Sequence, residues 1–198
     1  MIRFIDLSQD TPYSILEQKY NKALDAGQKN IDAVSISSYN PKKNEVDSRF
    51  VNLKFINKEE FIFFTNYNSP KSQAFMLNNQ IAALIYWPSI NIQIRLKSFI
   101  KKTSEDYNRD YFKQRSAEKN ALAISSDQSA AISSFDDVIR KYEDVKENHD
   151  LFDCPDYWGG YSFIPYYFEF WEGHESRLNK REVFNKTDGI WKHSFLQP

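Results

Sequence analysis

The sequence predicts an α+β domain, mainly β, built as an antiparallel barrel with helices packed outside. Stretches dense in aromatic and β-branched residues recur along the chain as strands. Most are joined by short polar turns rather than long crossovers, and helical stretches fall between them. With only five glycines there is no Gly-rich dinucleotide fingerprint, which disfavours a Rossmann reading.

A length of 198 residues suits one domain, 1–198, with residues 1–11 as an N-terminal arm. Thr11-Pro12 opens a helix with Tyr13, Leu16, Tyr20 and Leu24 at helical spacing, and Gly27 is its C-cap. Ile31 to Tyr39 reads as a strand closed by the turn Asn40-Pro41-Lys42-Lys43-Asn44. Arg49 to Phe55 and Phe61 to Thr65 form a hairpin around the polar turn Asn57–Glu60. Ser69-Pro70-Lys71 then starts a helix that runs to about Asn78.

Ile81 to Trp87 is a nearly unbroken apolar run of strand length, expected to be buried on both faces and ended by Pro88. Asn91 to Lys102 alternates, with Ile92, Ile94 and Leu96 on one side and Gln93, Arg95 and Lys97 on the other. Thr103 or Ser104 caps a helix carrying Tyr107, Tyr111 and Arg115, with Lys119 a further turn on if it continues. Ala121 to Ser134 has no firm assignment. Ser134 caps another helix, with Asp136 and Asp137 in its first turn. Trp158 to Trp171 reads as one long strand interrupted at Pro165. The basic loop Arg177–Arg181 follows, and a hairpin, Glu182–Lys186 with Ile190–Leu196, turns at Thr187-Asp188-Gly189.

Charge and cysteine content narrow the function. With 26 basic against 27 acidic residues, a general nucleic-acid or membrane-surface role has no support, so any phosphate ligand needs a local pocket. Cys154 is alone, and His149, His174 and His193 lack metal-ligand spacing, so no metal site is expected. The start of the chain shows no signal-peptide pattern and no run reaches membrane-spanning length, so the expected location is cytoplasmic.

Two clusters carry phosphate-binding chemistry. A helix starting at Ser69 presents free backbone N–H groups, Lys71 lies in its first turn, and Thr65 and Arg49 stand on adjoining strands. The same stretch also reads as an ordinary hairpin with solvated charges. Tyr111 and Arg115, four apart, share a helix face and fit either a phosphate or a plain surface pair. Gln93 either belongs to a solvated face or aims its amide at a ligand.

Several motifs keep a common order from Pro12 to Pro198: R-x-V-x-L-K (Arg49–Lys54), F-F-T-N-Y-x-S-x-K (Phe63–Lys71), Gln93, Tyr111/Arg115 and Gln128-Ser129. W-G-G-Y (Trp158–Tyr161), E-F-W-x-G (Glu169–Gly173) and R-L-x-x-R (Arg177–Arg181) continue it. In these the chain resembles the pyridoxamine 5′-phosphate oxidase family, FMN-dependent enzymes that make pyridoxal 5′-phosphate with O2 as electron acceptor. The resemblance implies a split β-barrel homodimer with FMN at the subunit interface. It implies that Arg49, Ser69 and Lys71 hold the FMN phosphate and that the backbone of Val51, Asn52, Leu53, Lys54, Phe64 and Thr65 lines the flavin. Gln93, Gln128, Ser129, Trp171 and Arg181 complete that pocket, some of them from the partner. By the same resemblance Lys54, Tyr111, Arg115 and Lys119 would take the phosphate of a small substrate, and Arg177 and Asn179 would be the catalytic positions over its ring.

The chain departs from the family pattern at a few places. Pro70 replaces an arginine of the FMN-phosphate clamp, and Lys119 stands near a usual serine. Asn179 and Lys180 replace a histidine and an aspartate, and most of the arm that covers the substrate is missing. Asparagine can hydrogen-bond a substrate but cannot exchange a proton near neutral pH. The alternatives are a related FMN oxidase with another substrate, of the phenazine-precursor type, and a non-catalytic flavin-binding protein.

Overall fold

Pairing between neighbours in sequence builds most of the sheet. A computed structural model describes residues 1–198. Strand β1 (Arg3–Ile5) precedes helix α1 (Thr11–Asp25), which buries Tyr13, Leu16, Tyr20 and Ala23 and stops just before Gly27, at φ +70°. Strands β2 (Ala33–Asn40) and β3 (Glu45–Asn57) form a hairpin, and β4 (Glu60–Asn66) folds back on β3. Helix α2 (Pro70–Leu77) has Ser69 at its N-cap and Pro70 in its first position, which proline tolerates because that N–H has no helical partner. Strands β5 (Gln80–Trp87) and β6 (Ile92–Lys102) follow, then helices α3 (Glu105–Lys113), α4 (Ala117–Ser125) and α5 (Phe135–Asn148). The chain closes with β7 (Trp158–Glu172), β8 (Lys180–Thr187) and β9 (Ile190–Leu196).

All nine strands belong to one sheet, antiparallel except where β1 lies parallel to β3. Strands β3, β2, β5, β6, β7 and β4 pair in a closed circuit, because β4 bonds both β3 and β7. The long β7 makes this possible. Its first half pairs with β4 and its second half with β8, while β6 runs along its other edge. Pro165 falls between the two halves, where the β6–β7 register shifts opposite Lys97/Ser98; a residue without an N–H is tolerated at such an irregularity. The fold is therefore mixed α+β and mainly β, with the core of Leu16, Ile36, Leu53, Phe61, Phe63, Ile94 and Phe168 enclosed by the circuit.

Two expectations need correction. Strand β5 is buried on one face only: Ile81, Ala83, Ile85 and Trp87 point inward, while Leu84 and Tyr86 are 37% and 54% exposed. Its outer residues are apolar as well, which hid the alternation. Helix α3 ends at Lys113, so Arg115 is on a corner rather than on the helix face of Tyr111, and Lys119 belongs to α4. Asn120 fixes that corner by donating from Nδ2 to the Phe112 carbonyl (2.9 Å). The arm 1–11 contains a strand, held through Lys58 N–H to the Ile5 carbonyl (2.9 Å) as well as by the β3 ladder. Ser104 and Ser134 cap α3 and α5 as expected, accepting from Tyr107 N–H and Asp137 N–H.

Candidate active site

A cavity of about 780 Å³ opens on the outer side of β3. The β-strand period places Phe50, Asn52 and Lys54 outward into it, while Leu53 between them is fully buried in the core. The remaining walls come from β4 (Phe64, Thr65), α2 (Lys71), the α3–α4 corner (Tyr111, Arg115, Lys119) and the loop after α4 (Gln128, Ser129), with Arg3 on β1. Six of the lining residues are cations (Arg3, Arg49, Lys54, Lys71, Arg115 and Lys119), and none is an aspartate or glutamate. In a protein of net charge −1, this concentrates positive potential in one place.

At one end three donors converge on a single oxygen. Gln128 Oε1 accepts from Thr65 Oγ1 (2.8 Å), Lys71 Nζ (2.9 Å) and Asn66 N–H (3.3 Å). Lys71 is 7% exposed and also donates to Ser69 Oγ (3.1 Å). Ser69 in turn donates to the Asn66 carbonyl, so Ser69 orients the lysine and does not cap α2 with its side chain. Burial, reinforced by the Arg49 charge, pulls the Lys71 ammonium down from 10.5 to about 8. Arg49 is held by Ile36 O (3.2 Å), Ser38 Oγ (2.9 Å) and the Asp47 carboxylate.

At the other end the wall is aromatic. The Phe64 ring stacks on Tyr111 (4.0 Å between centroids) and on Trp158 (5.2 Å), and the Arg115 guanidinium lies 4.4 Å from the Trp158 centroid. Arg115 Nη2 donates to the Lys119 carbonyl (3.0 Å), while Nη1 is buried with no partner. An unpaired buried donor is costly, and an oxyanion accepting from Nη1 removes that cost. Burial raises the Tyr111 phenol against the opposing charges of Arg115 and Arg3, so it stays a neutral donor. Lys54 is tethered to Asp32 (3.1 Å).

The structure thus brings together Arg49, Val51, Asn52, Lys54, Phe64, Thr65, Lys71, Tyr111, Arg115, Lys119, Gln128 and Ser129. It does not bring Gln93, Trp171, Arg181, Arg177 or Asn179 to this cavity, and the side chains of Leu53 and Ser69 are fully buried behind its lining. Gln93, Trp171 and Arg181 form one lateral row across β6, β7 and β8. Arg181 and Arg95 share the buried Glu169 carboxylate, each at 2.8 Å, and Tyr167 donates to it as well (2.9 Å). Arg177 sits at φ +60° in an exposed loop in which Asn179 Oδ1 accepts the His174 N–H (3.0 Å). Sequence reasoning missed Arg3 and missed Glu169 as the anchor of Arg181. Burial pushes the Cys154 thiol up to about 11, so it supplies no thiolate. No group of potential metal ligands is present, and no helix is long and apolar enough to cross a membrane.

A mainly β sheet thus carries a cation-lined, acid-free cavity with an aromatic wall. A family model described as the pyridoxine 5′-phosphate oxidase C-terminal dimerisation region matches residues 158–198. The pyridoxine/pyridoxamine 5′-phosphate oxidase 1 of Hydrogenovibrio crunogenus is 33% identical over 100% of this chain and 92% of its own length. The pyridoxine/pyridoxamine 5′-phosphate oxidase of Colwellia psychrerythraea is 35% identical over 96% and 88%. Among solved structures, PhzG from Burkholderia lata, in complex with tetrahydrophenazine-1-carboxylic acid, superposes with TM-score 0.89 at 22% identity, covering 94% of this chain and 92% of that one. A pyridoxamine 5′-phosphate oxidase-related, FMN-binding protein from Nostoc punctiforme gives 0.76 at 12% identity, covering 97% and 98%; both establish likeness of fold. The chain belongs to the pyridoxine/pyridoxamine 5′-phosphate oxidase family, and by class it is an oxidoreductase.

Proposed function

We propose that the protein is an FMN-dependent oxidase that converts pyridoxamine or pyridoxine 5′-phosphate to pyridoxal 5′-phosphate, with O2 as electron acceptor. The observation that carries this is the cavity itself, with cation clusters at two ends and no carboxylate in its lining. Each end suits a dianionic phosphate, one on the cofactor and one on the substrate.

The donor set fits a flavin phosphate. Thr65 Oγ1, Asn66 N–H and Lys71 Nζ already point at one acceptor position, with Arg49 close enough to depress Lys71. Pro70 leaves that clamp one guanidinium short of the family pattern, and buried Lys71 carries more of the load. FMN, when bound, supplies the two-electron redox chemistry. Tyr111, Arg115 and Lys119 bind the substrate phosphate, with Lys54 beside them, and the Phe64–Tyr111 wall excludes water from that end.

We take residues 1–198 as one FMN-binding domain whose strand circuit is the family's split barrel, working as a homodimer. Gln93, Trp171 and Arg181 stand on β6, β7 and β8 and are not among the residues that line this subunit's cavity. Pairing two outer sheet faces places the partner's row over the cavity, and the exposed Phe50, Leu84, Tyr86 and Phe99 favour such a contact. Arg177 and Asn179 reach the substrate ring in the same assembly. One observation favours a related oxidase of another aromatic substrate: Asn179 stands where the family has histidine, and its Oδ1 is engaged by the loop backbone.

Anaerobic addition of pyridoxamine 5′-phosphate to the flavin-loaded protein bleaches the flavin, and air restores the colour. An unchanged spectrum with both phosphorylated substrates, alongside bleaching by a dihydro-aromatic acid, would overturn the primary reading in favour of the second.

A further inference from the structure

Strand β1 delivers a residue to the cavity that the sequence motifs did not include. Ile2 is 6% exposed and faces the core, its N–H and carbonyl both bonded to the Tyr20 hydroxyl (3.1 and 3.4 Å). Phe4 packs edge-on against the Tyr20 ring (5.0 Å). With Ile2 and Phe4 fixed inward, strand alternation turns Arg3 the other way, into the cavity. Parallel pairing sets Arg3 opposite Phe55, next to Lys54 in sequence, and the Phe55 ring meets Tyr111 edge-on (5.2 Å). Arg3 therefore belongs to the Tyr111 end.

Charge accounting separates the six cations: Lys71, at the opposite end, has no carboxylate and is held by Ser69 and Gln128. Lys54 has Asp32 and Arg49 has Asp47 as partners. Arg3, Arg115 and Lys119 have no carboxylate within ion-pair distance, and all three line the same end. Arg3 and Arg115 together oppose the burial-driven rise of the Tyr111 phenol, which places both charges near its hydroxyl. Three unpaired cations repel one another until an anion sits among them, and a doubly charged anion relieves more of that repulsion than a single charge.

We propose that Arg3 is a specificity-determining residue, the third cation of the Tyr111–Arg115–Lys119 end, selecting substrates that carry a dianionic phosphate over their unphosphorylated counterparts. The proposal rests on the reading of this cavity as the active site. It goes further in assigning a phosphate contact to β1, where a purely structural β1 would only cover the Tyr20 side of the core.

The test uses flavin-loaded protein and 4-deoxypyridoxine 5′-phosphate, which has no oxidisable group at C4′ and forms no imine, with unphosphorylated 4-deoxypyridoxine as control. Calorimetry on Arg3→Gln is expected to show about tenfold weaker binding of the phosphorylated ligand. Binding of the unphosphorylated ligand, flavin content and melting temperature stay at parental values. Arg3→Lys recovers part of the loss, because it keeps the charge without the two-pronged geometry. Parental affinity for the phosphorylated ligand in Arg3→Gln, or equal weakening of both ligands, overturns the proposal. Failure of the functional reading looks different: pyridoxamine 5′-phosphate leaves the parent flavin oxidised. Inorganic phosphate then decides the role of Arg3, which stands if Arg3→Gln binds it more weakly than the parent and falls if the two bind it alike.

Discussion

Lys71 makes flavin binding depend on pH in a direction fixed by its environment. Its ammonium is buried beside Arg49, and both effects bring it from 10.5 to about 8 in the ligand-free protein. A phosphate at the Thr65–Lys71 position favours the charged lysine and returns its pKa upward. Below pH 8 the proton is already in place; above it, binding must take a proton up. The dissociation constant of FMN should then rise by up to tenfold per pH unit, about 15-fold between pH 8 and 9.5. The phosphate of FMN is dianionic across this range and adds no slope of its own. Quenching of FMN fluorescence by apoprotein between pH 6.5 and 9.5 measures it, with riboflavin as the phosphate-free control. Lys71→Arg should flatten the profile because guanidinium keeps its proton. The stability of ligand-free protein should move the other way. A depressed lysine pKa means the unfolded chain holds more protons between pH 8 and 10.5, so the folded state gains as pH rises through that window. A flat parental profile, or an unaltered slope in Lys71→Arg, would refute the reasoning.

Other perturbations reach other parts of the site. Gln128→Glu puts a carboxylate beside Lys71 and the Thr65 hydroxyl, so flavin retained after dialysis should fall by tenfold or more while ligand-free protein melts no lower. Glu169→Gln leaves Arg95 and Arg181 without a countercharge; with Arg95 half-exposed, the loss should be about 2 kcal/mol, read as a melting temperature lower by roughly 4–8 °C. Arg177→Ala should slow anaerobic flavin reduction while leaving FMN bound, since Arg177 lies outside the cation cluster that grips the phosphate; reduction at the parental rate would remove it from the chemistry.

How much of this could be read in advance depends on how local the cause is. The α2 start was legible because Ser69-Pro70-Lys71 carries its own instructions, and the hairpin at Asp188-Gly189 because both residues accept the positive φ that the turn requires. The outer face of β5 was not, since Leu84 and Tyr86 look like core residues and only the absence of a covering layer exposes them. The meeting of Gln128 with Lys71 spans 57 positions, and no periodicity encodes it. Arg115 does line one cavity with Tyr111, but not by the route expected: the helix ends before it, and the Asn120 bond to Phe112 restores by tertiary packing the proximity expected from helix geometry. Three residues of β1 are too few to announce a strand, and their pairing with β3 lies some fifty positions away.

The double use of β7 governs how the molecule must be made. Phe61 meets Phe163, so β4 waits for about a hundred further residues to leave the ribosome before its second edge is satisfied, and β6 waits for the same segment. Until then the nascent chain carries two bare edges flanked by phenylalanines, the sort of template on which growing chains stick to one another. Closure is a late and long-range event, and pairings of that separation are the ones that slow folding.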